Sequence, residues 1–390
     1  MSRPPIYLDG FSTTPLAPEA KEAILQSWME PGNAGSSHFA GELAAAKIFQ
    51  ARTAVGALIG ATPEEIVFTS GATESNNLVF LGVGKWALAG GSHRRRIVIS
   101  AIEHKAIFEP ANALSEMGFE TVIAPVTRHG VVDVDKLTQL IDETTLLVSV
   151  MAANNETGAI QPLSEVVAVA HAVGAYVHSD AAQAAGKVPF NVDTIGVDYT
   201  SLSGHKIYGP MGVGALYVSQ SAPRPFPIQY GGGQQGGLRP GTEPVALIVG
   251  FGKAAQVAIE AMEEDERHCR MLASHFMKRL SEHQVSFSKT VDPNICIPGG
   301  LSLIIDSVEA DDIVAMIGKQ VSISTGSACS SGQVLPSHVL KAMGIVTNKA
   351  RNIFRICFGR YNSIDDAEVA ASVIASAVQK LNRPTGPILQ

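Results

Sequence analysis

The sequence predicts an α/β protein in which helices cover a mostly parallel sheet, followed by a smaller α+β domain. Short apolar runs alternate with helical stretches from about residue 45 onward, a pattern typical of parallel sheets with helices on both faces. The pattern changes near residue 250, where a long helical stretch begins. A chain of 390 residues is too long to fold around one small core, so its length agrees with about two or three domains.

Five apolar runs are predicted to be buried strands, and a polar or glycine-containing turn follows each one: EEIVFTS, RRIVIS, TLLVSVM, GAYVHSD and VDYTSLSG. Helical stretches such as LSEVVAVAHAVG lie between them. In a parallel sheet of this kind, the ligand crevice lies outside the carboxyl ends of the strands. We therefore expect the polar residues that follow these runs to form the functional site.

The C-terminal part of the chain predicts the smaller domain. Its long helical pattern runs from Lys253 to His283, with an apolar stripe of Met262, Cys269, Leu272, Phe276 and Leu280. Two predicted strands, GGLSLIID and NIFRICFG, and helices near residues 311–319 and 365–381 follow it. We expect two domains, a large one of residues 15–255 and a small one of residues 1–14 and 256–390.

Composition and charge exclude several classes of protein. The 29 basic and 36 acidic side chains leave a net charge of −7, which argues against a generally basic, nucleic-acid-binding surface. The N-terminus MSRPPIYLDG has no apolar signal core, and no stretch reaches about 18 uninterrupted apolar residues. We expect a soluble cytoplasmic protein that binds neither nucleic acid directly nor a membrane.

The four cysteines, at positions 269, 296, 329 and 357, are too scattered for a disulfide framework and contain no close pair for zinc. No metal site is expected. Cys329 is unusual because it lies in SISTGSACSSG, with almost nothing apolar around it. A thiol on a polar loop fits a nucleophile that must reach a substrate; the alternative is an incidental loop cysteine.

Two segments after predicted strands suggest binding of a phosphorylated, ring-containing ligand. Small residues in FTSGATESNN allow backbone N–H groups to approach an anion at a helix N-terminus, although a tight turn capped by Thr73 explains them equally. In YVHSDAAQ, Asp180 ends a buried strand and Gln183 follows it. Its carboxylate could face a protonated pyridine nitrogen, a metal or an arginine, or could be a satisfied structural aspartate.

Further candidates lie on neighbouring segments. In SGHKIYGPMGVG, Lys206 lies among small and apolar residues, where burial lowers a lysine pKa and favours Schiff-base chemistry; the alternative is an ordinary surface lysine. His104, after RRIVIS, could stack on a ring or move a proton. Arg355 lies in the apolar run NIFRICFG and suits bidentate carboxylate binding, or an ion pair with a nearby acid. The glycine-dense loop GGGQQGGLRPGT could bring Arg239 and Thr242 to a phosphate, or be a surface loop.

Together and in this order, these segments resemble the cysteine desulfurases of the NifS/IscS type, in the class-V aminotransferase group of pyridoxal-phosphate enzymes. The resemblance covers nearly the whole chain, through YLDGFSTTP, GATESNN, EHKA, NNETG, HSDAAQ, SGHKIYGPMGVG, LRPGT, GSAC and FRICFGR. It implies the type I fold of pyridoxal-phosphate-dependent transferases. The large domain would bind pyridoxal 5'-phosphate, and the small domain would carry the Cys329 loop.

The resemblance also implies roles for individual residues. Lys206 would carry the cofactor, Asp180 would pair with its pyridine nitrogen, and His104 would stack on the ring. Gln183 would contact the ring hydroxyl, while Asn155 and Arg355 would hold the substrate carboxylate. The phosphate would be held by Ala72, Thr73, Ser203 and His205, with Thr242 supplied by the second subunit of a homodimer.

The implied reaction converts L-cysteine to L-alanine and leaves a persulfide on Cys329, from which a sulfur-acceptor protein takes the sulfur for iron–sulfur cluster assembly or another pathway. The segments GNAGSSH and GGGQQGG depart from the family pattern, and Cys357 stands where serine is expected. Alternatives are a sulfur donor for DNA phosphorothioation, a selenocysteine lyase or aminotransferase of the same fold, or a non-catalytic adaptor. A nicotinamide dehydrogenase is disfavoured because no strand precedes a GxGxxG motif.

Overall fold

The computed structural model describes residues 4–325, 329–330, 333–334 and 337–382. Its α-helices are α1 (Pro18–Met29), α2 (Phe39–Ile59), α3 (Ala72–Trp86), α4 (Lys105–Glu116), α5 (Val134–Leu140), α6 (Leu163–Ala172), α7 (Val192–Ile195), α8 (Val245–Glu282), α9 (Ala310–Ile317), α10 (His338–Ala342), α11 (Thr347–Ala350) and α12 (Ile364–Leu381). Its strands are β1 (Ile6–Tyr7), β2 (Ile66–Thr69), β3 (Arg96–Ser100), β4 (Glu120–Ala124), β5 (Thr145–Ser149), β6 (Tyr176–Asp180), β7 (Tyr199–Ser203), β8 (Gly214–Val218), β9 (Ser288–Lys289), β10 (Gly300–Ile304), β11 (Val321–Ser322), β12 (Ser324–Thr325), β13 (Cys329–Ser330), β14 (Gln333–Val334) and β15 (Ile353–Cys357).

The main sheet has seven strands in the order β2-β8-β7-β6-β5-β3-β4. Strand β8 is antiparallel to both of its neighbours, and the other adjacent pairs are parallel. All five strands predicted for this part of the chain are present. The prediction of a mostly parallel α/β sheet is therefore confirmed, and the carboxyl ends of the parallel strands share one edge.

Helices bury this sheet on both faces, which explains why its strands are almost continuously apolar. In β3, Ile97 and Ile99 belong to the core beneath α3 and α4, whereas Val98 belongs to the core on the opposite face. Strand β2 alternates in the same way, with Val67 on one side and Ile66 and Phe68 on the other. Successive side chains point to opposite faces, so both faces need apolar residues.

The C-terminal part forms a second, antiparallel sheet in the order β12-β15-β10-β9. Phe354 and Ile356 of β15 pack into a separate core with α8, α9 and α12. Strand β1 joins this part by pairing in parallel with β11. These elements agree with the expected α+β character, while the division at residues 14 and 255 stays a prediction.

Helix α8 begins at Val245, eight residues before the predicted start at Lys253. The first turns contain glycines, which lower the helix propensity of the sequence. Packing explains them: a Cβ on Gly252 would lie 2.5 Å from the Cα of Ala51 in α2. Helix α8 is also long and apolar enough to cross a membrane; here it packs against α1, α2 and α12, as the core helix of a globular protein does.

Candidate active site

The carboxyl-end edge of the main sheet opens into a cavity of about 990 Å³, at the upper end of the range for small-molecule sites. Ten of the twelve predicted site residues line it: Ala72, Thr73, His104, Asn155, Asp180, Gln183, Ser203, His205, Lys206 and Arg355. Thr242 is exposed and lies away from this lining. For Cys329, the structure describes the backbone alone.

The turn between β2 and α3 forms one end of the cavity. Helix α3 begins at Ala72, and its N-cap is Gly71 with no capping side chain, so the alternative in which Thr73 caps this turn is wrong. Gly71 has φ +153°, and the nearest atom to an added Cβ would be Ser203 Oγ at 3.9 Å. Free N–H groups of the first helical turn and an open space beside Gly71 together make a cradle for an anion.

Asp180 is buried at the end of β6. Its Oδ2 accepts a hydrogen bond from Asn76 Nδ2 of α3 at 2.8 Å, and its Oδ1 accepts from the Ala182 N–H at 3.0 Å. Neutral donors thus hold the carboxylate without cancelling its charge. A buried, oriented carboxylate that lacks an ion-pair partner among the described residues suits a cationic ring nitrogen.

Lys206 follows β7 in a short 3₁₀ turn. Its Nζ donates to the backbone oxygens of Phe11 and Ser12, the latter at 2.7 Å. Burial, followed by the positive charges of Lys187 and Arg355, lowers the pKa of Lys206 to about 7. A large fraction of this amine is therefore unprotonated near neutral pH, the form that attacks a carbonyl group. The alternative of an ordinary surface lysine is wrong.

Two histidines of the site are neutral at pH 7. Burial lowers the pKa of His104, and its Nδ1 accepts from the Ala106 N–H at 3.1 Å. The remaining proton of the neutral ring therefore resides on Nε2. Burial and the charge of Lys206 lower the pKa of His205 to about 4, and its Nδ1 lies 2.9 Å from Thr13 Oγ1.

Arg355 projects from β15 toward the cavity. Its Nη1 donates to Asn155 O at 3.2 Å and its Nη2 to Ser12 Oγ at 2.8 Å. Its Nε lies 3.7 Å from Asp9 Oδ1, but neither of these two atoms has a hydrogen-bond partner. The ion pair considered as the alternative therefore exists, in a loose form that leaves donors for a carboxylate.

The glycine-dense loop contacts the first turn of α3, next to the cradle for an anion. Arg239 Nε donates to Glu74 Oε1 in the first turn of α3 at 2.9 Å, and Glu74 Oε2 accepts from the Ser70 N–H. Arg239 is thus neutralised by Glu74 within the same chain. Thr242 in the same loop is exposed, and its expected contact with the phosphate of a second subunit stays a prediction.

Cys329 lies on β13, which pairs in antiparallel fashion with β14. Cys329 is opposite Val334 in this pairing. The flanking residues 326–328, 331–332 and 335–336 lie outside the described residues. The other three cysteines are buried free thiols. Burial raises the pKa of Cys269 and Cys296 to about 12 and also raises that of Cys357, so these three are poor nucleophiles.

The sequence reasoning missed four residues beside the cavity. Asn76 holds Asp180, and its place one helical turn after Ala72 was the available signal. Glu103, buried before His104, has its pKa raised to about 8 by burial. Glu156 and His338 also line the cavity, and His338 Nε2 hydrogen-bonds to Glu103 O at 2.8 Å. Glu156 lies within the segment NNETG, which was the available signal, whereas His338 belongs to none of the recognised segments.

His178, two residues before Asp180, makes stability depend on pH. Its ring lies between Ser149 Oγ and Ser201 Oγ, and burial lowers its pKa to about 4. Below about pH 6.5, His178 binds a proton in the unfolded chain but not in the folded chain. The free energy of unfolding therefore falls as the pH drops from 6.5 to 4. We expect a loss on the order of 3 kcal/mol across this window, measured by urea unfolding.

The matched test replaces His178 with asparagine, which keeps a polar partner for the serines but does not titrate. The pH dependence of the unfolding free energy should flatten in this variant. Replacing the exposed His129 with glutamine should leave the dependence unchanged. Parallel pH profiles for wild type and His178→Asn would contradict the assignment.

Similarity to known proteins identifies the family of this chain. The family model described as "Aminotransferase class-V" matches residues 6–369. A cysteine desulfurase IscS from Rickettsia felis is 40% identical over 380 residues, which cover 97% of this chain and 92% of the relative. A solved "NifS-like protein" superposes with a TM-score of 0.89 at 34% identity, covering 96% of this chain and 100% of that one.

A second solved structure, described as "SspA in complex with cysteine", has a TM-score of 0.79 at 32% identity and covers 92% of this chain and 100% of its own. The family match spans most of the chain, and the similarity to the IscS relative extends over nearly all of both proteins. The chain therefore belongs to the class-V aminotransferase family and, within it, to the cysteine desulfurases of the NifS/IscS type.

Proposed function

We propose that this protein uses pyridoxal 5'-phosphate to convert L-cysteine to L-alanine and retains the sulfur as a persulfide on Cys329. One observation carries the proposal: Ser12 contacts both Lys206 Nζ, through its backbone oxygen, and Arg355 Nη2, through its hydroxyl. Ser12 therefore holds two groups close together: an amine suited to carbonyl chemistry and a guanidinium with donors free to bind a carboxylate. That pairing suits an α-amino acid substrate.

The residues present fit the cofactor. The cradle beside Gly71 suits its phosphate, the carboxylate of Asp180 suits its ring nitrogen, and Lys206 Nζ suits its aldehyde. The ring of His104 lines the same cavity and is available to stack. When bound, the cofactor supplies an electron sink for negative charge at the substrate Cα.

The substrate carboxylate is assigned to Arg355 and the side chain of Asn155. Backbone and hydroxyl acceptors fix the guanidinium plane before substrate arrives, so little side-chain entropy is lost on binding. A carboxylate held there places the rest of the amino acid toward Lys206 and His104. This geometry explains why the site would take an amino acid in preference to a simple amine.

Proton movement is assigned to Lys206 Nζ and His104 Nε2. With a pKa of about 7, Lys206 Nζ can accept a proton from carbon and return it at neutral pH. His104, neutral and protonated on Nε2, can donate a hydrogen bond toward the substrate sulfur or the ring.

The sulfur atom passes to Cys329. Its thiolate sulfur forms a bond to the substrate sulfur, the Cβ–S bond of L-cysteine breaks, and the carbon skeleton takes up a proton to become alanine. One L-cysteine and one thiol thus yield one alanine and one persulfide, with no external oxidant. A sulfur-acceptor protein then removes the terminal sulfur and restores the thiol.

The proposal extends to the assembly and its location. We expect a soluble cytoplasmic homodimer in which Thr242 of one subunit reaches the phosphate in the other. The pathway that receives the sulfur, whether iron–sulfur cluster assembly or another, follows from the acceptor protein. The negative net charge of the chain gives no reason to expect direct nucleic-acid binding.

The proposal is tested by incubating the cofactor-loaded protein with L-cysteine carrying radioactive sulfur. We expect one alanine per cysteine consumed, label on the Cys329 peptide under non-reducing conditions, and transfer of that label to an added acceptor thiol. Without reductant or acceptor, label should stop at one sulfur per subunit, because each turnover needs a free thiol.

Three other outcomes would point to different functions. Keto-acid-dependent formation of a new amino acid, with no label on Cys329, would identify an aminotransferase and overturn the proposal. Turnover of selenocysteine with no turnover of cysteine would identify a selenocysteine lyase. Retention of the cofactor with neither reaction would favour the adaptor.

A further inference from the structure

Lys187 lies beside the active site but lines a different cavity. It follows β6 on the same turn as Gln183, and its Nζ donates to Gln183 Oε1 at 2.8 Å. Gln183 in turn donates from Nε2 to Phe11 O at 2.7 Å. Lys206 Nζ donates to that same Phe11 oxygen. A continuous hydrogen-bonded chain therefore links Lys187 to Lys206.

This chain determines which way the amide of Gln183 points. An ammonium group has donors only, so it must face the amide oxygen, and Phe11 O accepts only, so it must face the amide nitrogen. Both neighbours therefore select the same orientation. The NH₂ group of Gln183 is the end directed toward the active-site side, where it still has a second N–H to donate.

Lys187 has no counter-ion among the described residues, and burial lowers its own pKa below the usual value of a lysine. The second cavity, of about 260 Å³, is roomy enough for water and brings Lys187 next to two thiols, Cys269 and Cys357. The acids on the same lining have other partners: Asp265 pairs with Arg360, Glu266 pairs with Arg270, and Asp366 accepts from the Ser363 N–H.

We propose that Lys187 is a positioning residue for the desulfurase reaction: it fixes Gln183 as a hydrogen-bond donor to the cofactor ring oxygen. In its protonated form, Lys187 also favours the unprotonated form of Lys206, to which the same hydrogen-bonded chain connects it. The inference rests on the proposed function, since Gln183 and Lys206 act on the cofactor. It assigns Lys187 no contact with substrate or cofactor.

The protonation of Lys206 responds to several surrounding groups. Burial is the largest influence on its pKa, Lys187 and then Arg355 lower it further, and Asp180 and Asp9 raise it. The neighbouring His104 and His205 have lowered pKa values of their own and carry no charge at pH 7. Lys187 is thus the leading positive influence that can be removed without altering a residue that touches the reactants.

The test measures the titration of Lys206 in cofactor-free protein, so it does not depend on desulfurase activity. The rate at which trinitrobenzenesulfonate modifies Lys206 is followed against pH by peptide mass spectrometry, since only the free amine reacts. Lys187→Met removes the charge and the donor, Lys187→Gln removes the charge but keeps a donor, and Lys187→Arg keeps both. The exposed Lys136 provides a matched control through Lys136→Met.

We expect the midpoint for Lys206 to rise by roughly one pH unit in Lys187→Met and Lys187→Gln, as removal of a nearby like charge predicts. Lys187→Arg and Lys136→Met should retain the wild-type midpoint. An unchanged midpoint in the two uncharged variants would overturn the charge effect. Lys187→Gln keeps the test decisive even if Lys187→Met does not fold.

The orientation of Gln183 is tested separately, by a double-mutant cycle on the affinity for pyridoxal 5'-phosphate. Lys187→Met should weaken binding about tenfold, equivalent to about 1.4 kcal/mol, in the wild-type background. It should have little effect in the Gln183→Leu background when both affinities are measured at a pH above the Lys206 midpoint of every variant, where Lys206 is unprotonated throughout. Equal losses in both backgrounds would show that Lys187 does not act through Gln183. Failure here with normal desulfurase turnover would leave the proposed function intact.

Discussion

Replacing Lys206 with alanine is expected to lower the rate of alanine formation from L-cysteine by about 10³-fold or more, because one amine performs two tasks. In the proposed reaction, Lys206 Nζ holds the cofactor and also moves the proton at the substrate carbon. Lys187 is not placed to replace it, because Lys187 points to Gln183 and lines the second cavity. The measurement is alanine production in protein reconstituted with excess pyridoxal 5'-phosphate.

The same variant gives a second readout that does not depend on turnover. Borohydride reduction of wild-type protein should leave the cofactor mass on the peptide that contains Lys206, and the alanine variant should carry none. Lys136→Met, at an exposed lysine, should keep both the adduct and the activity. A Lys206→Ala protein that retained a covalent adduct or turned over near the wild-type rate would contradict the assignment.

Replacing Cys329 with serine is expected to abolish persulfide formation and to reduce alanine production to the level of slow side reactions, a loss of about 10³-fold or more. A hydroxyl of high pKa cannot accept sulfur from the substrate. The remaining thiols cannot substitute, because Cys269, Cys296 and Cys357 are buried with raised pKa values. Labelled L-cysteine and non-reducing peptide mapping give the measurement.

The matched control is Cys296→Ser, which changes a thiol that donates to backbone oxygens of Thr157 and Gly300 at 3.3 Å. A serine hydroxyl can keep such hydrogen bonds, so folding and sulfur transfer should both survive. Full sulfur release by the Cys329→Ser variant, or label on a peptide that contains a buried cysteine, would contradict the proposal. Either result would move the acceptor role to another group.

Much of the fold could be predicted because strand and helix periodicity is local. The five runs that formed β2, β3, β5, β6 and β7 have apolar residues on both faces, which only a doubly covered sheet requires. The start of α8 was predicted too late, because the reason for its glycines is contact with α2. Helix propensity depends on the local sequence, so it does not reveal a packing partner some 200 positions away in the chain.

The sequence alone determined which residue types face the crevice, since parallel strands deliver the residues after them to one edge; ten of the twelve expected site residues line the cavity. Only the tertiary structure decided their chemical states. Asn76 reaches Asp180, Phe11 and Ser12 reach Lys206, and Lys187 orients Gln183. A pKa or an amide orientation depends on burial and on partners that are distant in the chain. The order of residues in the sequence does not show which partners these are.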